Sequence, residues 1–245
     1  SENTKLVSVS HISNTLGTIN PIEKIIEKAQ AVGAKVMIDG AQAAAHISLN
    51  MQSLGADFYC FSAHKLYGPT GVGVLYGKED VLNELPPYQG GGEMIKEVSF
   101  EKTTYACLPH KFEAGTPNIS GVIAFKQAID FITDLGVSEI AKYEDELLQY
   151  ATAEVLKIEG IKIYGTAAHK SGIISFNIEG LHPYDIGMIV DKMGVAIRTG
   201  HHCTQPIMDR FNIPGTARIS LSVYNTKQEI DVCVKAIKKA KLMLS

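Results

Sequence analysis

Apolar residues in the first part of the chain fall in short, nearly continuous runs. "KLVSVS" (5–10), "KVMID" (35–39), "ADFYCFS" (56–62) and "GVGVLYG" (71–77) each read as a strand. Between the first two lies "NPIEKIIEKAQAVG" (20–33), where Ile22, Ile25, Ile26 and Ala29 share one helical face. Asn20 suits the cap, Pro21 the first helical position and Gly33 the closing turn. Strands this apolar, alternating with helices, predict a mostly parallel sheet covered on both faces.

The pattern then changes. Residues 83–118 are rich in Gly and Pro, with "PPYQGGGEMI" at their centre, and predict loops of special shape. Spacings of three and four return at 119–135 and 138–158, which predict two helices. "GIKIYG", "GIISFNIE", "VAIRTG" and "ARISLSVYN" (217–225) read as short strands, with helices at Pro183–Lys192 and Lys227–Leu244. The lysines of the last helix predict a solvated face. An α/β part over residues 1–125 and an α+β part over 126–245 follow from this pattern.

Composition narrows the function classes. At 45% hydrophobic and 20% charged, the 245 residues resemble an ordinary globular protein. A formal net charge of −3 gives no reason to expect nucleic acid or an acidic membrane surface as partner. No apolar run is long enough to span a bilayer. The four cysteines, Cys60, Cys107, Cys203 and Cys233, show no C-x-x-C spacing, so neither a zinc pattern nor a disulfide framework is predicted, and no metal site. A reduced, cytoplasmic setting fits them best. Cys60 and Cys233 lie among apolar residues and read as core thiols. The opening "SENTKLVSVSH" has no methionine, which suggests either a missing N-terminal portion or a removed methionine.

Candidate chemistry gathers at predicted strand ends. Asp39 closes one apolar strand; Ser62, His64 and Lys65 follow the next, in "SAHKLYGPTG". Taken singly, Asp39 reads as a cap or turn residue and Lys65 as a surface lysine in a Gly/Pro turn. Together they change the picture, because ligands of open α/β sheets collect beyond the carboxyl ends of the strands. Pyridoxal phosphate (PLP) requires an amine for its aldehyde, an acid beside its pyridine nitrogen, and donors for its phosphate.

The ordered set "DGAQ…SAHKLYGPTGVGVLYG", "GGGEMI", "FEAGTPN" and "RTGHHC" resembles the group II, SufS-like cysteine desulfurases, over essentially the whole chain. The resemblance implies the aminotransferase-like fold type I: an incomplete large domain (1–125) and a C-terminal small domain (126–245). It implies a PLP enzyme that takes sulfur from L-cysteine, leaves L-alanine, and holds the sulfur as a persulfide for iron-sulfur cluster assembly. By that resemblance Lys65 would bind the cofactor's aldehyde and move protons, and Asp39 would pair with the ring nitrogen. Gln42 would contact the phenolic oxygen, and Ser62 and His64 the phosphate. Asn14 would lie near the cofactor's oxygen and the substrate carboxylate, which Arg218 would grip. Thr116 would reach the phosphate of a neighbouring subunit, implying a homodimer. Cys203 would accept the sulfur, with His202, His201 and Arg198 as neighbours favouring its thiolate.

A short cysteine segment implies that a partner must reach in for the sulfur. Tyr184 in "HPYD" stands where SufU-type systems tend to carry a second histidine, so a SufE-like acceptor is expected rather than a SufU-like one. The resemblance also implies that a ring-stacking histidine and a phosphate-holding turn lie outside these residues. The chain alone is therefore expected to bind the cofactor poorly and to be inactive. Three other readings stand beside this one: a selenocysteine lyase or other fold type I lyase, a non-catalytic protein whose His/Cys cluster binds zinc, and a truncated, inactive fragment with only an interaction role.

Overall fold

The structure, a computed structural model, describes all residues 1–245. They form two compact units, one of Ser1–His11 with Pro21–Leu135 and one of Ile12–Asn20 with Gly136–Ser245.

The first unit holds strands β1 (Leu6–Ser10), β2 (Lys35–Asp39), β3 (Phe58–Ser62) and β4 (Gly73–Gly77), adjacent in that order. β1, β2 and β3 are parallel, and β4 returns antiparallel to β3. Helix α1 (Ile22–Gln30) buries Ile22, Ile26 and Ala29 against Val36, Ile38 and Tyr59. Pro21 occupies the cap rather than the first helical position, with φ −76° and no side-chain cap bond. Gly33 takes φ +74°, as a helix-closing glycine should.

The expectation that both sheet faces are covered is corrected. Register places Leu6, Met37, Cys60 and Leu75 on the face opposite Val36 and Ile38. Leu6 and Leu75 are each 54% exposed there. The strands are apolar on both faces, but within this chain α1 covers only one. At the amino end of the sheet, buried Asp57 accepts the Val36 N–H at 2.8 Å and pairs with Lys78 at 3.3 Å.

Short helices α2 (Met51–Leu54) and α3 (Glu79–Glu84) complete the sheet region. The stretch read as loops contains a small hairpin, β5 (Ile95–Val98) with β6 (Thr103–Tyr105). Helix α4 (Ile119–Leu135) runs unbroken through residue 125, so this unit ends at Leu135. Gly136, at φ +81°, separates it from α5 (Val137–Leu156).

The second unit carries a four-stranded antiparallel sheet. It is ordered β7 (Ile161–Tyr164), β8 (Ile173–Ile178), β10 (Thr216–Ser220), β9 (Arg198–Gly200). Helices α5, α6 (Pro183–Lys192) and α8 (Lys227–Leu244) pack in its core through Leu147, Ala151, Ile186, Val190, Val234 and Ile237. These meet Ile174, Phe176 and Ala217 of the sheet. Lys235, Lys238 and Lys239 are exposed, the solvated face expected of the last helix. Helix α7 (Gln205–Phe211) follows the cysteine segment. The strand expected over 217–225 stops at Ser220, because Ser222 and Asn225 close a turn, with the Ser222 N–H donating to Asn225 Oδ1 at 2.9 Å. A capping box of Thr226 and Glu229 then starts α8.

Candidate active site

In the first unit the parallel strands end side by side. Ser10 pairs with Asp39, and Asp39 with Cys60, so the Asp39 carboxylate stands at the carboxyl edge between β1 and β3. It is exposed, and Oδ1 accepts the Ala41 N–H at 2.9 Å. Gly40 is required here: a Cβ would lie 2.0 Å from the Tyr59 ring. The chain after Asp39 thus turns tightly over that ring and carries Gln42, which is half-buried.

β3 ends at Ser62, and one 3₁₀ turn over Ala63–Lys65 follows. Ala63 is buried, so His64 and Lys65 project outward and are exposed. Thr116 is also exposed, in the bend before α4, and hydrogen-bonds none of these residues. The structure therefore sets Asp39, Ser62, His64 and Lys65 at neighbouring strand ends, with Gln42 in the turn after Asp39.

A buried pair behind Asp39 was not singled out from the sequence. His11 Nδ1 lies 3.0 Å from the Tyr59 hydroxyl, and the His11 N–H donates to the Asp39 carbonyl at 2.8 Å. Burial lowers the His11 pKa; burial and then nearby Asp39 raise that of Tyr59. The only sequence signal was a histidine ending an apolar strand.

In the second unit Cys203 is exposed, with Arg198 Nη2 3.5 Å from its Sγ. It lines an open cavity of about 510 Å³ with Arg198, His201, Gln205 and Pro206. His202 and Cys203 both adopt left-handed backbone, φ +55° and +63°. Two successive side-chain-bearing residues rarely do so, and such strain survives only where the surroundings impose it. His202 is 1% exposed. Its Nε2 lies 2.8 Å from Thr216 Oγ1 and 3.1 Å from the Thr216 carbonyl. The other ring nitrogen, Nδ1, is buried without a hydrogen-bond partner.

Burial first, then the positive charge of Arg218, lowers the His202 pKa to about 4. The ring is neutral at pH 7, and Arg198 is the cation in contact with the sulfur. His201, also expected as a neighbour, is exposed.

Arg218, on β10, donates from Nη1 to the Asn14 carbonyl at 2.6 Å. Its Nε is buried with no hydrogen-bond partner. Asn14, expected to face cofactor and substrate, donates its Nδ2–H to the His202 carbonyl at 2.6 Å. Cys60 and Cys233 behave as packed groups. Burial pushes Cys233 up to about 11, and burial with Asp39 raises Cys60.

Residues 1–233 match the family model described as aminotransferase class-V. The chain belongs to this family. It is 51% identical over 237 residues to a cysteine desulfurase of Enterobacter sp. (strain 638), covering 96% of this chain and 58% of that protein. It is 46% identical over 244 residues to one of Yersinia pseudotuberculosis, covering 99% and 60%. The crystal structure of the Escherichia coli cysteine desulfurase CsdA superposes with a TM-score of 0.95 at 36% identity, over 100% of this chain and 61% of that one. The cysteine desulfurase of Thermococcus onnurineus NA1 gives 0.93 at 37%, over 97% and 60%. The chain thus spans about three-fifths of the length of these relatives. The aminotransferase-like α/β fold expected from the sequence is the one observed.

Aminotransferase class-V enzymes of this kind depend on PLP. The donors in the first unit fit that group chemically, with an exposed carboxylate at one strand end and an amine, a hydroxyl and an imidazole at the next. Lys65 lies open rather than enclosed in an apolar pocket.

Proposed function

We propose that the protein is a PLP-dependent cysteine desulfurase that moves the sulfur of L-cysteine onto Cys203 and leaves L-alanine. The observation that carries this reading is the Cys203 turn, where an exposed thiol is held in strained backbone beside the Arg198 guanidinium. Packed structural cysteines do not stand this way.

When bound, PLP supplies an electron sink that makes the substrate's Cα proton removable. Asp39 would hold the ring nitrogen, Gln42 the phenolic oxygen, Ser62 and His64 the phosphate, and Lys65 Nζ the aldehyde. Arg218, whose guanidinium is planar and permanently charged, would grip the substrate carboxylate. Lys65 Nζ takes the Cα proton and returns a proton to the substrate. Cys203 attacks as thiolate on the substrate sulfur. The new S–S bond forms as the S–Cβ bond breaks, and Cβ keeps that electron pair and gains a proton. Free thiol plus cysteine becomes persulfide plus alanine, with no external oxidant or reductant.

The persulfide sulfur would pass to a SufE-like acceptor for iron-sulfur cluster assembly, and Thr116 would complete the site of a second subunit in a homodimer. No helix is long and apolar enough to cross a membrane. The test is mass spectrometry of Cys203 in the protein completed by the ring-stacking histidine and phosphate-holding turn that the resemblance implies, after incubation with PLP and L-cysteine, alongside assay of L-alanine. A gain of one sulfur on Cys203, lost in Cys203→Ser, is expected. Undiminished L-selenocysteine turnover in Cys203→Ala, with no persulfide from L-cysteine, would overturn the reading in favour of a selenocysteine lyase.

A further inference from the structure

The Cys203 turn needs support, because left-handed backbone at His202 and Cys203 is unfavourable for residues with side chains. Three side chains remote in sequence provide it. Asn14 Nδ2–H bonds the His202 carbonyl, and Thr216 bonds the His202 ring. Thr15 Oγ1 lies 2.7 Å from Thr204 Oγ1 just beyond the cysteine. The segment bearing Asn14 and Thr15 is itself anchored, as Ser175 Oγ donates to the Thr15 carbonyl at 2.5 Å.

Asn14 differs from the other two supports. Its side chain bonds the peptide that joins His202 to Cys203, and its own carbonyl accepts from Arg218 at 2.6 Å. One residue therefore links the Arg218 guanidinium to the backbone that aims the thiol. A side-chain amide donor is what this place demands, because the atom it meets is a carbonyl oxygen, which can only accept. An aspartate of the same shape could not make this bond.

We propose that Asn14 is a positioning residue that ties Arg218 to the Cys203 turn and so keeps the thiol beside Arg198. The proposal rests on reading Cys203 as the sulfur acceptor, but its test does not use sulfur transfer. Two alkylating reagents of similar size, neutral iodoacetamide and anionic iodoacetate, report thiol reactivity and the charge beside it. Cys107 is exposed and serves as an internal reference in the same protein. The readout is the iodoacetate-to-iodoacetamide rate ratio at Cys203, divided by that at Cys107, measured by peptide mass spectrometry.

The groups facing the thiol are Arg198, in contact, with Arg218 and the neutral His202 ring of the same turn and the exposed His201 before it. The ratio in the unaltered protein exceeds one, since the arginines attract the anionic reagent. Asn14→Ala lowers it by about fivefold, the size of one charge lost at roughly 4 Å in water. Arg198→Gln lowers it to the same extent. Asn14→Gln keeps an amide donor and stays above Asn14→Ala. If Asn14→Ala does not fold, Asn14→Ser, too short to reach the carbonyl, carries the same expectation.

General loosening would speed both reagents and leave the ratio unchanged. An unchanged ratio in a folded Asn14→Ala or Asn14→Ser variant overturns the proposal. So does a ratio in Asn14→Gln no higher than in Asn14→Ala, which would assign the effect to packing instead of the amide bond. Absence of persulfide on Cys203, with these ratios as expected, would sink the desulfurase reading and leave the positioning role intact.

Discussion

The strand ends of the first unit and the cysteine turn of the second hold their chemistry in opposite ways. Asp39, His64 and Lys65 are exposed and project from a sheet edge, and the stability of that unit lies elsewhere, in α1 and the Val36–Ile38 face. Cys203 is exposed too, yet the residue before it is sealed among Thr216, Asn14 and Arg218. Groups that meet a cofactor can stand open, because the cofactor would supply their missing contacts. On the proposed function, a sulfur acceptor would have to be aimed before its substrate arrives, and the protein itself would have to hold it.

The sharpest way to break this contrast is to compare activity with stability. Lys65→Ala and Cys203→Ser should each reduce alanine formation by at least about a thousandfold, because each removes a reacting group. Neither should shift the thermal midpoint measurably. A large loss of stability in Lys65→Ala would show that the open strand end is structural after all.

Next in size are the two stability anchors. His202→Ala should cost the second unit about 2–4 kcal/mol in urea unfolding, as it empties a sealed site and orphans the Thr216 hydroxyl. Asp57→Ala should cost the first unit about 1–3 kcal/mol, since the buried Val36 N–H loses its acceptor. Equal losses from Asp39→Ala would contradict the idea that the carboxyl edge bears no structural load.

A smaller effect concerns acid. The His202 pKa is lowered to about 4, so the unfolded chain takes up this proton first as pH falls below about 6.5. Stability from the neutral ring is complete above that value and is lost progressively down to about pH 4, where the folded ring also protonates. Between pH 7 and 4.5 the unaltered protein should lose about 2 kcal/mol more than His202→Gln. Parallel losses in both would assign the acid sensitivity to other groups, His11 among them. Smallest of all, Thr226→Ala should cost about 1 kcal/mol by opening the capping box of α8.

Much of this was legible along the chain. The strand endings at Asp39 and Ser62 were visible because continuous apolar runs stop there and polar chemistry begins. The helices at 119–135 and 183–192 followed from spacing. The open second face of the first sheet was not, since an apolar strand reads the same whether or not something covers it. The roles of His11 and Thr216 were hidden for a different reason. Neither sits in a local motif, and their partners lie 48 and 14 residues away.

What the sequence by itself determined is the inventory: a mostly parallel α/β sheet with an acid, a lysine, a hydroxyl and an imidazole at its edge, and one cysteine set among histidines and a nearby arginine. Local pattern suffices for that, because strand ends and turn residues are written in neighbouring positions. Only the tertiary structure decided what each group can do. Burial made His202 neutral and left Arg198 as the charge beside the thiol. Bonds across 188 and 204 residues made Asn14 the link between Arg218 and the cysteine turn. Electrostatics and hydrogen bonding act through space, and no reading of neighbours along the chain supplies those distances.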